Sequence, residues 1–130
     1  RIKRLKYPMK TKVLIVDDSN TNNLLLQSIL EMEGISSHVT CSGKEAFDYL
    51  KIEKPGLILL DIMMPNVDGF TVLEKIKKNS EINQIPVVFI TAKNDDGLKQ
   101  KALDAGAKDL IQKPIDLNEV VTIIKHLIIN

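Results

Sequence analysis

With 130 residues, 27% charged side chains and a formal net charge of +1, the chain has the size of one domain with its own core. No bulk charge draws it to nucleic acid, and no stretch approaches the roughly 18 apolar residues of a membrane span. A single cysteine, Cys41, precludes an internal disulfide and favours a reducing, cytoplasmic setting; a buried or half-buried structural thiol is expected there.

Residues 1–10 are basic, lack the apolar core of a secretory signal, and read as a tail or linker ahead of a domain over 11–130. From Lys12 onward strand and helix signals alternate five times. Strands are expected near 12–17, 35–40, 57–60, 86–90 and 108–112, the pattern of βαβ units around a parallel sheet. The first helix carries Leu25, Leu26, Ile29, Leu30 and Met32 at helical spacing and stops at Gly34. Ser42-Gly43 opens the second, with Ala46, Phe47 and Leu50 inward and Pro55-Gly56 closing it. Phe70, Leu73 and Ile76 mark the third. Leu98, Ala102 and Ala105 line the fourth, which Gly106 ends, and Asp116 caps a last helix bearing Leu117, Val120, Val121, Ile124, Leu127 and Ile128.

Polar residues stand at the downstream ends of four of these apolar runs: Asp17 and Asp18, Asp61, Thr91, and Lys113. Open α/β sheets place their sites just beyond the carboxyl ends of the strands, so these side chains are expected to meet in one crevice. Asp17 and Asp18 can both aim there only where the strand ends and the chain turns, and Ser19-Asn20 supplies that turn. Three carboxylates brought together repel one another unless a hard divalent cation with oxygen ligands relieves them. Magnesium fits, since its sites use one or two carboxylates with waters and phosphate oxygens, whereas calcium wants more ligands. Asp61 is the natural nucleophile, because a carboxylate accepts a phosphoryl group as an acyl phosphate. Lys113 offers a movable positive charge and Thr91 a hydroxyl for the phosphoryl oxygens. Taken singly, Asp61 reads as a helix cap, Thr91 as a strand-end hydroxyl and Lys113 as a solvated charge; their joint placement carries the reading.

The chain resembles the receiver domain of two-component response regulators. The matching stretches are Val13-Leu14-Ile15-Val16-Asp17-Asp18, Asp61-Ile62-Met63-Met64-Pro65-Asn66-Val67-Asp68-Gly69, Thr91-Ala92, Gly106-Ala107-Lys108-Asp109 and Lys113-Pro114. The resemblance implies a flavodoxin-like (βα)5 fold with strand order 2-1-3-4-5. It also implies a phosphorylation-dependent switch, with a phosphoryl group passed to Asp61 from a histidine kinase or a histidine phosphotransfer protein. Carried over by position, Asp18 and Asp61 would bind Mg2+ directly, Asp17 mainly through water, and Met63 through its backbone carbonyl. Thr91, the Ala92 backbone and Lys113 would hold the phosphoryl oxygens, and the Lys113–Pro114 bond would be cis. Pro65, Asn66 and Asp68-Gly69 supply turn chemistry for the loop around the metal.

One position departs from the family. Leu110 stands three residues before the lysine, where the family usually has an aromatic residue that turns inward as the threonine engages the phosphate. The coupling through the fourth helix and fifth strand is therefore expected to differ, without effect on the phosphorylation chemistry.

Other classes fit less well. A haloacid-dehalogenase-like phosphatase needs a general-acid carboxylate two residues after the nucleophile, and that residue is Met63. A flavodoxin-type cofactor binder wants a hydroxyl- and glycine-rich phosphate loop, whereas Asp17-Asp18-Ser19-Asn20 repels phosphate unless metal is bound. A receiver-like interaction module that is never phosphorylated stands as the alternative within the fold. The chain is read as a phosphoacceptor rather than an enzyme, acting on a downstream protein target or a fused output domain. Either it is a single-domain regulator or it is part of a hybrid kinase or larger regulator, a possibility of which Asn22 and Leu24-Leu25-Leu26 are weakly reminiscent.

Overall fold

A computed structural model describes residues 12–129, leaving the basic tail over 1–10 outside the described residues. Among the described residues ten elements alternate: β1 (Lys12–Val16), α1 (Asn20–Met32), β2 (Ser36–Thr40), α2 (Gly43–Leu50), β3 (Leu57–Asp61), α3 (Gly69–Lys77), β4 (Val87–Thr91), α4 (Leu98–Asp104), β5 (Asp109–Gln112) and α5 (Leu117–Ile129). The five strands form one parallel sheet in the order β2-β1-β3-β4-β5, the flavodoxin-like arrangement the resemblance implies.

Both faces of that sheet are covered, which is why its central strands are apolar throughout rather than alternating. Every residue of β3 and β4 is buried. Side-chain alternation splits the core in two. Leu14, Val16, Ile58, Leu60, Val87 and Phe89 pack with α2, α3 and α4, while Val13, Ile15, Leu57, Leu59, Val88, Ile90 and Ile111 pack with α1 and α5. Among the described residues no helix is long and apolar enough to cross a membrane.

Helix starts follow the capping residues. Ser19, Ser42 and Asp68 each accept a first-turn N–H of α1, α2 and α3, and Asp116 accepts the N–H of Glu119 in α5. Gly34 and Gly106 stand at positive φ where α1 and α4 give way to the following strands. Several expected core positions lie outside the core. In α1, Leu26, Ile29 and Leu30 are buried, but Leu25 and Met32 face outward, because the helical stripe takes one flank of the Leu24-Leu25-Leu26 run. Ala105 caps α4 in an exposed position, Leu117 is exposed at the start of α5, and α2 ends at Leu50, ahead of Pro55-Gly56. Cys41 is exposed rather than buried: it follows the last residue of the edge strand β2, in the short turn into α2.

Candidate functional site

The sheet register sets the site before any side chain is considered. Val16 lies level with Leu60, Asp61 with Ile90, and Thr91 with Gln112, so four neighbouring strands end within a residue or two of one another. The last residue of each strand, or the one or two that follow it, emerges at the same edge. That edge carries Asp17, Asp18, Asp61, Thr91 and Lys113, the set expected to converge.

Asp17, Asp18 and Asp61 each offer a carboxylate oxygen within 4.8 Å of the others. Asp17 and Asp61 are buried and Asp18 is exposed, so the cluster opens to solvent on the Asp18 side. Both oxygens of Asp17 have partners. Oδ1 accepts the Ser19 N–H at 2.8 Å, and Oδ2 faces Lys113 Nζ at 3.3 Å. Lys113 Nζ also lies 3.8 Å from Asp61 Oδ1, which accepts the Met63 N–H at 3.2 Å. Three carboxylates against one ammonium leave two negative charges when all are ionised. The imbalance registers on Asp61, whose pKa is pushed up from 3.8 to about 6, first by burial and then by the charge of Asp17, with Lys113 and the Met63 N–H pulling the other way. A hard dication with oxygen ligands matches both the donor set and the missing charge. Asp17, Asp18 and Asp61 fit such an ion.

Thr91 is fully buried at the end of β4, and its hydroxyl oxygen accepts the Lys93 N–H at 3.0 Å. With that lone pair engaged, the hydroxyl proton is what Thr91 has left to give. The Thr91 carbonyl accepts the Lys113 N–H at 2.7 Å, which ties the two strand ends together. The Lys113–Pro114 bond is cis, as the resemblance implies.

The loop after Asp61 is held by a close approach. Gly69 donates its N–H to the Ile62 carbonyl at 2.7 Å, and a Cβ on Gly69 would stand 2.7 Å from the Asp61 carbonyl oxygen and 2.8 Å from Ile62 Cα. Only glycine lets α3 begin this close to β3. Residues 13–125 match the family model of the response regulator receiver domain. The chain belongs to that family. Among curated relatives, this receiver is 40% identical over 108 residues to the response regulator PleD of Caulobacter vibrioides, covering 83% of the chain and 24% of PleD. It is 34% identical over 120 residues to the transcriptional regulatory protein SrrA of Staphylococcus aureus, covering 92% of the chain and 48% of SrrA. The chain thus spans a quarter to a half of the length of these relatives. Among solved structures, a two-component response regulator from Clostridium difficile superposes with a TM-score of 0.83 at 32% identity, over 90% of this chain and 94% of that one.

Two residues of this receiver site escaped the sequence reading. Asn23 is buried in α1 and donates its amide to the Asp17 carbonyl at 2.8 Å, fixing the turn that aims the acidic pair. The signal was present: Asn23 is a polar residue in the inward stripe it shares with Leu26 and Leu30. The second is Gln112, whose side-chain amide reaches the Thr91 and Ala92 carbonyls at 3.4 and 3.2 Å. As the last residue of β5, with no apolar or ionisable signature, it gave nothing to read.

Leu110 lies level with Phe89, half-buried against the α4 side of the core. It also lines a cavity of about 360 Å³ beside Lys93–Gln100 and Glu119. A side chain of modest volume therefore stands where loop 92–97 meets β5.

Proposed function

We propose that this receiver is a phosphorylation-dependent signalling switch whose acceptor is Asp61, charged by a histidine kinase or a histidine phosphotransfer protein in the cytoplasm. The observation that carries the reading is the pairing of one buried carboxylate of raised pKa with an ammonium 3.8 Å away, inside an acidic cluster two charges short of neutrality. Such a cluster is poised for a dication and an incoming phosphoryl group. An Asp61 carboxylate oxygen attacks phosphorus, the bond from phosphorus to the donor's leaving group breaks, and that group departs with the electron pair. Bound at Asp18, Asp61 and the Met63 carbonyl, Mg2+ would neutralise charge on the phosphoryl oxygens and the acceptor. Lys113 meets one phosphoryl oxygen, while the Thr91 hydroxyl and Ala92 N–H donate to another.

The module is a phosphoacceptor that assists only its own phosphorylation and dephosphorylation. Its output passes to a downstream protein target or to a fused output domain. The test is intact-mass analysis after incubation with acetyl phosphate and Mg2+. A single phosphoryl group is gained, and the gain vanishes when Mg2+ is chelated. A mass unchanged in the presence of Mg2+ favours the interaction module that works without phosphorylation.

The roles of the acidic pair are separable. Asp17 has both oxygens committed to Ser19 and Lys113, which supports a contribution through water, whereas Asp18 is exposed and turned to the cluster. Asp18→Asn therefore weakens Mg2+ binding by about tenfold or more and Asp17→Asn by less, since losing a directly ligating charge removes more than losing a water-relayed one. Titration of each variant with Mg2+ measures both, and equal, undiminished affinity excludes the pair as the metal site.

Leu110 yields a further expectation. The differential that drives the switch is the set of new Thr91 and Lys113 contacts to phosphate, and leucine packing adds little to it. Leu110→Ala leaves phosphorylation intact and alters activated-state backbone NMR shifts near residue 110 alone. Loss of the phosphorylation-dependent shifts throughout residues 92–115 would instead make Leu110 the lever.

A further inference from the structure

The peptide planes that follow β4 are held by a side chain from β5. The Thr91 carbonyl accepts from the Lys113 N–H at 2.7 Å and from Gln112 Nε2 at 3.4 Å, and the Ala92 carbonyl accepts from the same Nε2 at 3.2 Å. Each of these carbonyls shares a rigid trans peptide unit with the next residue's N–H, which points the opposite way. Holding the Thr91 carbonyl toward β5 turns the Ala92 N–H toward β3, the strand that ends in Asp61 and lies on the other side of β4. Holding the Ala92 carbonyl toward Gln112 likewise turns the Lys93 N–H back, and that N–H reaches the Thr91 hydroxyl oxygen at 3.0 Å. The Ala92 N–H is thus set chiefly by the Lys113 N–H on the Thr91 carbonyl, whereas the Gln112 amide governs the Thr91 hydroxyl through the lone pair that Lys93 occupies.

We infer that Gln112 is a positioning residue that presents the Thr91 hydroxyl to the phosphoryl group on Asp61. The inference rests on the acyl-phosphate reading of the site. Gln112 touches neither the acidic cluster nor the acceptor and acts through the backbone of residues 91–93. The Lys113 N–H still holds the Thr91 carbonyl when Gln112 is replaced, so β4 and β5 stay joined and the effect falls on the Ala92–Lys93 peptide, for whose carbonyl Gln112 is the donor. Gln112 is only half-buried, so its replacement leaves the core intact.

The experiment compares the wild-type protein with Gln112→Met, similar in length but without a donor, and with Gln112→Ala. Phosphorylation by acetyl phosphate slows by about three- to tenfold in both variants, the scale of one hydrogen bond lost from the transition state. Mg2+ affinity, measured by titration without phosphodonor, stays at the wild-type value, a separation that general loosening of the site would not give. In the unphosphorylated variants the Ala92 and Lys93 amide resonances shift, while those of residues 17–19 and 61–63 do not. A wild-type rate in Gln112→Met overturns the role, as does a parallel loss of Mg2+ affinity or unmoved Ala92 and Lys93 resonances. If the wild-type protein gains no phosphoryl group, the acyl-phosphate reading fails instead, and the amide resonances alone report whether Gln112 holds the 91–93 backbone.

Discussion

Asp61→Asn makes the metal-free protein more stable at neutral pH, although it removes the residue on which the proposed chemistry depends. The carboxylate is buried, faces Asp17, and has its pKa raised to about 6 from 3.8, so above pH 6 the folded state carries a charge that it holds less favourably than the unfolded chain does. Asparagine keeps the shape and still accepts the Met63 N–H, while Lys113 retains Asp17 at 3.3 Å. The gain is on the order of 1–3 kcal/mol at pH 7.5, or a rise in Tm of roughly 4–10 °C. Its pH dependence has a definite sign. A raised folded-state pKa lowers stability as pH climbs through about 6, and below 3.8 the group is protonated in both states, so the advantage of the variant closes as pH falls from 7 to below 4. Added Mg2+ removes the advantage in the other direction, because the dication stabilises the wild-type protein, whose cluster keeps the full charge. Thermal unfolding of both proteins at pH 4 and pH 7.5, with and without Mg2+, measures all of this. A variant less stable than wild type in metal-free buffer at pH 7.5 contradicts it.

Gly69→Ala produces the opposite effect and a larger one. Its Cβ meets the Asp61 carbonyl oxygen at 2.7 Å, Ile62 Cα at 2.8 Å and Phe89 Cε1 at 2.9 Å, and the first two obstacles are backbone of β3 and the loop that follows it. Neither can rotate away. Relief requires α3 to withdraw from β3, breaking the Gly69 N–H bond to Ile62, and the loss is about 3 kcal/mol or more. Gly97→Ala is the matched control. Gly97 has φ +80° with nothing within 4 Å of the added Cβ, so only the left-handed backbone opposes alanine, at about 1 kcal/mol. Denaturant midpoints that place the two variants together would show that the tight approach at Gly69 does not limit stability.

The fold was legible because its signals are local. Leu57-Ile58-Leu59-Leu60 and Val87-Val88-Phe89-Ile90 are too short and too uniformly apolar for half-exposed strands, and glycines and caps punctuate the helices between them. The convergence of Asp17, Asp18, Asp61, Thr91 and Lys113 followed from topology, since parallel strands deliver their carboxyl ends to one edge. What stayed hidden depends on contacts far apart in sequence. Lys113 pairs with Asp17 across 96 residues, and nothing in the composition near either selects Asp17 over Asp18 as the partner. Leu24-Leu25-Leu26 could not reveal which leucine faces the sheet until α1 was docked. The exposure of Cys41 depends on β2 being an edge strand, which the sequence suggests only through the resemblance. Gln112 illustrates the limit most clearly, because its two acceptors lie 20 and 21 residues away and are backbone atoms that every residue type supplies.

On the proposed function, Asp61 alone accepts the phosphoryl group. Borohydride reduces an acyl phosphate to an alcohol, so treating the phosphorylated protein with borohydride and mapping its peptides by mass spectrometry marks the acceptor as homoserine. Homoserine at position 61, absent from positions 17 and 18 and from the Asp61→Asn variant, is the expected result. Homoserine at Asp17 or Asp18, or a phosphoryl group gained with none at position 61, would contradict it.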